Sequence, residues 1–399
     1  MYQKREIADK VFYVGVNDRQ KHLFENYLPL PYGVSYNSYL IVDEKVALLD
    51  TVDLSFSDHF ISQIESLLNG RSVDFLVVHH MEPDHAGSIR LLKTRYPQMK
   101  LVGNKKTFDF LKGYFNIDAD LIEVAEGDSL SLGKKKLVFY MAPMVHWPEV
   151  MVSYESESQT LFSADAFGTF GALNGSCFDD ELNLDFFWDE MRRYYACIVG
   201  KFGMPVQNAL KKLSALPIKT ICSLHGPVWR VQLEKVVALY DRWSRYETEP
   251  GVVIPFGSMY GNTQTLAEAV AEGVVAGGLQ NVVIHNVSKT DASFILADIF
   301  KYNGLIVGSP TYMGEAYPLV DALLTKIKER SVKHHVYSCF GSHSWATGAV
   351  KRMTEFAEAM KWEVVGAPVD NKFAPTEDAL QKCFQLGKEV AQACLKMKE

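Results

Sequence analysis

Four side chains able to bind a metal fall within six positions: His80, Glu82, Asp84 and His85, in the string His79-His80-Met81-Glu82-Pro83-Asp84-His85. Two imidazoles and two carboxylates this close offer nitrogen and hard anionic oxygen together, a donor set suited to first-row transition metals. Alternate residues of an extended chain point the same way, so His80, Glu82 and Asp84 are expected to converge on one cavity, with His85 turned toward a neighbour. Three further candidates each follow an apolar run: His146 in Pro143-Met144-Val145-His146-Trp147-Pro148, Asp165 in Ser163-Ala164-Asp165-Ala166-Phe167-Gly168, and His225 in Ser223-Leu224-His225-Gly226-Pro227. His79 either supports a ligand or is simply packed, and His22, His59, His334 and His335 read as structural or exposed.

A second kind of chemistry belongs to the later part of the chain. Ser258-Met259-Tyr260-Gly261-Asn262-Thr263 follows an apolar run and precedes a helical pattern that begins near Gln264. Small hydroxyl and glycine residues at a helix amino terminus present backbone N–H groups and a dipole end to a phosphate without Lys or Arg. The alternative is a plain helix cap by Asn262 or Thr263. Two more loops favour the ligand: Gly308-Ser309-Pro310-Thr311-Tyr312-Met313-Gly314, and Gly341-Ser342-His343-Ser344-Trp345-Ala346-Thr347-Gly348. Both follow expected strand ends, and Tyr312 and Trp345 offer aromatic planes to flank a flat ring. No Gly-x-Gly-x-x-Gly follows a strand, so a nicotinamide dinucleotide site is not indicated.

The elements that must position these residues come in two grammars. The first part is strand-rich: strands are expected over 11–16, 39–42 and 46–49, the last two separated by the turn 43–45. A helix over 60–68 then leads to a strand over 75–78, with further strands over 137–140, 151–154, 161–163 and 218–222 and helix around 186–199. From Gly251 the pattern becomes strand, turn, helix, with Leu266, Val270 and Val274 at helical spacing. Strands over 252–256, 282–285, 304–307, 332–340 and 363–365, with a last helix over 379–397, predict a doubly wound parallel sheet of five strands. Glu247-Thr248-Glu249-Pro250-Gly251 reads as the linker, giving expected domains 1–248 and 249–399.

The bulk numbers fit this division. A chain of 399 residues exceeds what one core usually organises. With 48% hydrophobic residues, 22% charged and a net charge of −7, it has the balance of a globular protein and no basic tract for nucleic acid. No run of roughly 18 apolar residues offers a membrane span, and the expectation is a cytoplasmic protein. The six cysteines form no Cys-x-x-Cys pair, so they are expected to be free thiols, mostly buried.

The order His-x-Glu-x-Asp-His followed by a separate His, Asp and His resembles the metallo-β-lactamase superfamily, with Glu82 standing where a hydrolase carries its second His. A carboxylate there adds a hard oxygen donor and moves a zinc-type pocket toward iron. Together with a flavodoxin-like second half, the string is similar to the flavodiiron family, also called A-type flavoproteins, over essentially the whole chain. The resemblance implies a metallo-β-lactamase-like αββα sandwich followed by a flavodoxin-like sheet. It implies two irons, one on His80, Glu82 and His146 and the other on Asp84, His85 and His225, with Asp165 bridging and His85 the most dispensable ligand. It implies FMN on residues Ser258, Met259, Tyr260, Gly261, Asn262 and Thr263, on Ser309, Pro310, Thr311, Tyr312, Met313 and Gly314, and on Ser342, His343, Ser344, Trp345 and Ala346.

That resemblance further implies reduction of dioxygen to water, of nitric oxide to nitrous oxide, or both. Electrons would arrive from a separate rubredoxin or similar carrier, and a head-to-tail homodimer, or a dimer of dimers, would bring the FMN of one subunit to the irons of the other. Two other classes are open on the residues alone. One is a hydrolase of the glyoxalase II or lactamase kind with an appended flavodoxin-like domain, against which Glu82 speaks. The other is an electron carrier with a structural metal, against which seven candidate ligands speak, since structural sites are usually closed by four.

Overall fold

The computed structural model describes residues 5–397, and the chain divides into two compact units, 1–241 and 242–399. The first unit holds two main sheets. One runs in chain order through β1 (Arg5–Ala8), β2 (Val11–Tyr13), β3 (Tyr39–Val42), β4 (Val46–Leu49), β5 (Phe75–Val77), β6 (Lys100–Gly103) and β7 (Leu121–Glu123). Its first four strands are antiparallel and the rest join in parallel. The change comes where the helix Ser57–Leu68 carries the chain from β4 to β5, because a parallel partner needs a crossover. Phe60, Ile64 and Leu68, at i, i+4 and i+8, are the buried stripe of that helix.

The other sheet runs β8 (Ser129–Ser131), β9 (Lys136–Met141), β10 (Met151–Glu155), β11 (Thr160–Phe162) and β12 (Thr220–Cys222). Val11, Ile41, Leu49 and Val77 of the first sheet share one core with Leu137, Phe139, Met151, Phe162 and Cys222 of the second. That is the interleaving of two inner faces in a sandwich. β9 is antiparallel to β10, β10 to β11, and β11 is parallel to β12. It follows that β9, β11 and β12 point the same way. The connections that follow them, which carry His146, Asp165 and His225, therefore leave one edge of the sheet.

The second unit is built on a parallel sheet in the order β14 (Val282–Asn286), β13 (Glu249–Phe256), β15 (Tyr302–Tyr312), β16 (Val336–His343), β17 (Glu363–Val364), with Glu315–Ala316 pairing antiparallel at the end of β15. β18 (Val369–Lys372) pairs with β16 further along and completes the fifth position. The helices Asn262–Ala276 and Glu377–Lys396 pack together on it, and glycines permit the contact. A Cβ at Gly273 would lie 1.9 Å from Phe384 O, and one at Gly387 would lie 2.0 Å from Val270 O.

Several expected elements differ in detail. The strand expected over 11–16 is broken, because the chain leaves the first sheet after Tyr13 and Val16–Asp18 pairs with Val34–Tyr36 in a separate ribbon. The helix expected over 186–199 is α-helical over Asp185–Tyr194 and widens into a π-turn over Tyr195–Val199. The strand expected over 304–307 runs on to Tyr312, since Ser309 and Pro310 stay in register with Gly341 and Ser342. The expected linker is partly strand, with β13 beginning at Glu249. Cys177, Cys222, Cys339, Cys383 and Cys394 are free and buried, and Cys197 is half-buried. No helix among the described residues is long and apolar enough to cross a membrane.

Candidate metal centre and flavin cavity

The loop after β5 stays extended only as far as Glu82. Pro83 then opens a helical turn, Pro83–Ala86, the position proline favours at a helix start. This corrects the expectation that Asp84 would alternate into the same cavity as His80 and Glu82: the turn rotates it away, and it joins His85. Two groups of ligand atoms result, each converging within 4.8 Å: His80, Glu82, His146 and Asp165, and Asp84, His85 and His225.

In the first group His80 Nε2 and His146 Nε2 lie 3.2 and 3.1 Å from Glu82 Oε2, and 3.4 and 3.0 Å from Asp165 Oδ2. In the second, His85 Nε2 and His225 Nε2 lie 3.4 and 3.3 Å from Asp84 Oδ2 and 3.0 Å from each other. Asp165 Oδ1 faces this second group, 3.3 Å from His85 Nε2 and 3.7 Å from His225 Nε2. One carboxylate thus turns one oxygen to each group.

These distances suit cations. Donors about 2.1 Å from a metal stand about 3.0 Å apart at right angles and about 3.4 Å apart at the tetrahedral angle. The hydrogen-bond ledger agrees: both oxygens of Asp84 and Oδ1 of Asp165 are buried without a hydrogen-bond partner, an arrangement costly for an anion unless a positive charge is bound. The protons tell the same story. Burial alone would raise the Asp165 carboxyl, yet the charges of His85 and His80 hold it well below the usual carboxylate range. Burial would lower His146, yet its contacts with Asp165 and Glu82 raise it to about 9. Where three carboxylates crowd, imidazoles take up protons, and metal ions supply the same positive charge.

Surrounding groups fix the rings. His80 Nδ1 donates to Glu149 Oε1 at 2.8 Å, and the same oxygen accepts from Met81 N at 2.9 Å. His225 Nδ1 donates to Ser35 O at 2.7 Å. Each leaves Nε2 for a metal, the usual arrangement of a ligating histidine. His85 Nδ1 is buried without a partner. His79 is not a ligand: its Nδ1 donates to Asp50 Oδ2 at 2.6 Å and its Nε2 accepts from Ser153 Oγ at 2.8 Å, which spends both nitrogens in holding the loop. The backbone is left-handed at Asp50, Met144 and Ala164, next to or near these side chains.

Sequence reasoning missed several residues here. Glu149 sits three positions beyond His146, and nothing in its local sequence marks it as the partner of His80. Tyr194 packs 5.5 Å from the His225 ring with its buried hydroxyl unpartnered. Glu25, which keeps an exposed edge on the hairpin joining Leu23–Phe24 to Leu28–Pro29, reaches Glu82; crowding and then the charge of Glu82 push its carboxyl up to about 7. Only pairing across long stretches of chain could have revealed these.

In the second unit, residues from all three expected loops line a cavity of about 490 Å³, within the usual size range of small-molecule sites. Gly261 takes a φ of +96° to start the helix Asn262–Ala276, and its N–H donates to Ser258 Oγ at 3.1 Å. Thr263 and Ser342 join two of the loops through their hydroxyls at 2.9 Å. Every expected residue lines this cavity except two. Gly261 acts through its backbone, and Ser309 is fully buried, its hydroxyl turned to Pro310 O and Tyr317 N because β15 continues through it. Phe373, just past β18, is an additional wall residue. A helix amino terminus at one end, exposed aromatic side chains of Tyr312 and Trp345, and no lysine or arginine on the wall fit a phosphate-bearing flat cofactor.

Residues 34–226 match the family described as ODP family beta lactamase, and residues 254–387 match flavodoxin. Over 396 residues the chain is 33% identical to a nitric oxide reductase of Moorella thermoacetica, covering 98% of this chain and 99% of that protein. The solved rubredoxin oxygen:oxidoreductase of Desulfovibrio gigas is similar over 99% of both chains, with a TM-score of 0.95 and 29% identity. The flavodiiron protein of Giardia intestinalis follows with a TM-score of 0.94 and 28% identity, over 99% of this chain and 98% of that one.

Proposed function

The chain belongs to the flavodiiron family, and from that premise we propose that it reduces dioxygen, nitric oxide or both. Its fold is a metallo-β-lactamase-like domain followed by a flavodoxin domain, and its cofactors are FMN and a diiron site. When bound, these groups supply the electrons and the open coordination positions that reduction of a diatomic gas requires. In our reading His80, Glu82 and His146 hold one iron, Asp84, His85 and His225 the other, and Asp165 bridges them. The observation that carries this is Asp165, whose two oxygens face two separate donor groups.

The remaining work falls to this chain's own residues. Glu149 and the Ser35 carbonyl orient His80 and His225. Tyr36, Phe24 and Tyr194 pack their rings against His225 and exclude water from that side. The Tyr194 hydroxyl is a spare donor beside the site. Exposed Tyr260, Met313 and Trp345 around the flavin cavity favour a head-to-tail dimer, in which a partner's metal domain covers this face. A rubredoxin-type carrier, the partner named for the Desulfovibrio relative, is the proposed electron donor.

The test is direct. Protein reconstituted anaerobically is expected to carry one FMN and two irons per chain, to consume oxygen or nitric oxide when supplied with reduced rubredoxin, and to elute as a dimer. Zinc alone, with no iron uptake and no gas consumption, would sink the reading.

A further inference from the structure

The wall of the flavin cavity is almost without charge. Its lining residues include no aspartate, glutamate, lysine or arginine, and one histidine, His343. His343 is not a free surface residue: its Nδ1 donates to Asp370 Oδ1 at 2.8 Å, and its side chain is only 13% exposed. A carboxylate only accepts, so the shared proton sits on Nδ1, and Nε2 is the nitrogen left to gain or lose one.

Two strands hold this pair in place. Residues 340–343 at the end of β16 run in parallel register with 369–372 of β18. Phe373 N then donates to His343 O at 2.8 Å, and the Phe373 ring joins the cavity wall. The neighbouring Ser342 is tied to Thr263 at the phosphate end. The imidazole is therefore positioned by backbone pairing on one side and a carboxylate on another.

We infer that the Asp370–His343 pair exchanges a proton with the flavin and sets its potential. The inference rests on the reading that this cavity holds FMN. As the flavin takes two electrons from the donor protein, the N–H bond at Nε2 of the charged imidazole breaks and a new N–H bond forms on the flavin. The neutral imidazole then regains a proton from water, and reoxidation returns the flavin proton to solvent. Before transfer, the positive charge of the ring favours the electron-rich reduced flavin.

Other ionisable groups nearby do not replace it. Lys372, the register partner of His343, lies over the Phe373 ring at 4.9 Å. Asp378, Lys382 and Glu389 share with Asp370 a surface groove distinct from the flavin cavity. On the helix Ala349–Met360, Lys351 and Arg352 pair with Glu355 and Asp321. The phenols of Tyr260 and Tyr312 stand on the cavity wall itself.

Spectroelectrochemical titration of the FMN-loaded protein over about pH 5 to 8, where imidazoles change charge, tests the pair. The midpoint of H343Q is expected to lie below the wild-type midpoint at the acid end and to converge on it at the alkaline end. D370N keeps the ring but removes both the Nδ1 partner and a negative charge; the lost charge alone would raise the midpoint by the same amount at every pH, so a D370N curve whose pH slope differs from the wild type is the expected result. Curves for H343Q that superimpose on the wild type, or differ by a constant offset, overturn the proposal. A D370N curve that superimposes on the wild type or differs by a constant offset overturns it independently, should H343Q fail to retain flavin. Wild-type protein that takes up no FMN overturns the cofactor reading, and the proposal with it.

Discussion

The two sites are built in opposite ways. The seven metal-site side chains come from four well-separated connections, and each is buried, with at most 8% of its surface exposed. The flavin cavity is made by loops at neighbouring strand ends of one sheet, and its aromatic wall stands open, with Tyr260 and Trp345 each 93% exposed. The metal constellation is thus a property of a whole folded unit, where donors such as His80 and His225 are positioned by partners distant in sequence. The flavin cavity is more local, its loops tied by contacts such as those of Thr263 with Ser342 and His343 with Asp370. Damage should therefore spread at the first site and stay confined at the second.

Asp165→Asn should be the severest change. The amide keeps the shape of the side chain but removes the negative charge that faces both donor groups, and Asn cannot bridge two cations as a carboxylate does. We expect iron content to fall, gas reduction to be almost completely lost, and FMN and fold to be retained, as read by metal analysis, flavin absorbance and circular dichroism. A mutant with normal iron and more than about a tenth of the activity would contradict the bridging role.

Glu149→Ala comes next, because it strips His80 of its orienting partner without touching a metal ligand. Losing such a partner typically weakens metal binding about 10- to 100-fold. Glu149→Gln, whose amide oxygen can still accept from His80 Nδ1, should recover part of that loss. Equal iron affinity in all three proteins would show that the ring is held by packing alone.

At the flavin cavity Trp345→Ala should do less, and only there. Loss of one aromatic stacking partner is worth about 0.5–1.5 kcal/mol, roughly two- to tenfold in the dissociation constant of FMN. The irons should stay in place, and loss of iron together with flavin would break the contrast between a distributed site and a local one.

Much of this contrast was legible in the sequence, unevenly so. The loops that line the cavity were legible because each is continuous and follows an apolar strand; Ser309 lies off the cavity wall because β15 runs on through it. The metal donors were legible as types, His, Asp and Glu after strand ends, and their division between two irons came from the resemblance. What the sequence hid was support. Asp50 and Ser153, which occupy both nitrogens of His79, and Glu149 on His80 are ordinary residues until strand pairing brings them together. Phe373 escaped notice because it follows a strand, β18, that periodicity alone did not reveal.

The mildest expected change at the metal site is His85→Asn, and the reason lies in its neighbours. His80 and His225 each have an Nδ1 anchored by an acceptor, so their Nε2 atoms are held in place before any metal arrives. His85 Nδ1 has no such partner, although its backbone carbonyl is fixed by Thr51. A ligand that is not anchored contributes less to a preformed site, since part of its binding free energy goes into ordering the ring. Asn also leaves a short polar side chain near Asp84 rather than a void. The mutant should therefore keep both irons and FMN and lose about tenfold or less in gas consumption, the low end of what losing a supporting interaction costs. Measured beside Asp165→Asn under the same anaerobic conditions, the two form a ranking. If His85→Asn loses more iron or more activity than Asp165→Asn, an unanchored ring matters more than the carboxylate facing both groups, and the division of roles among the seven residues is wrong.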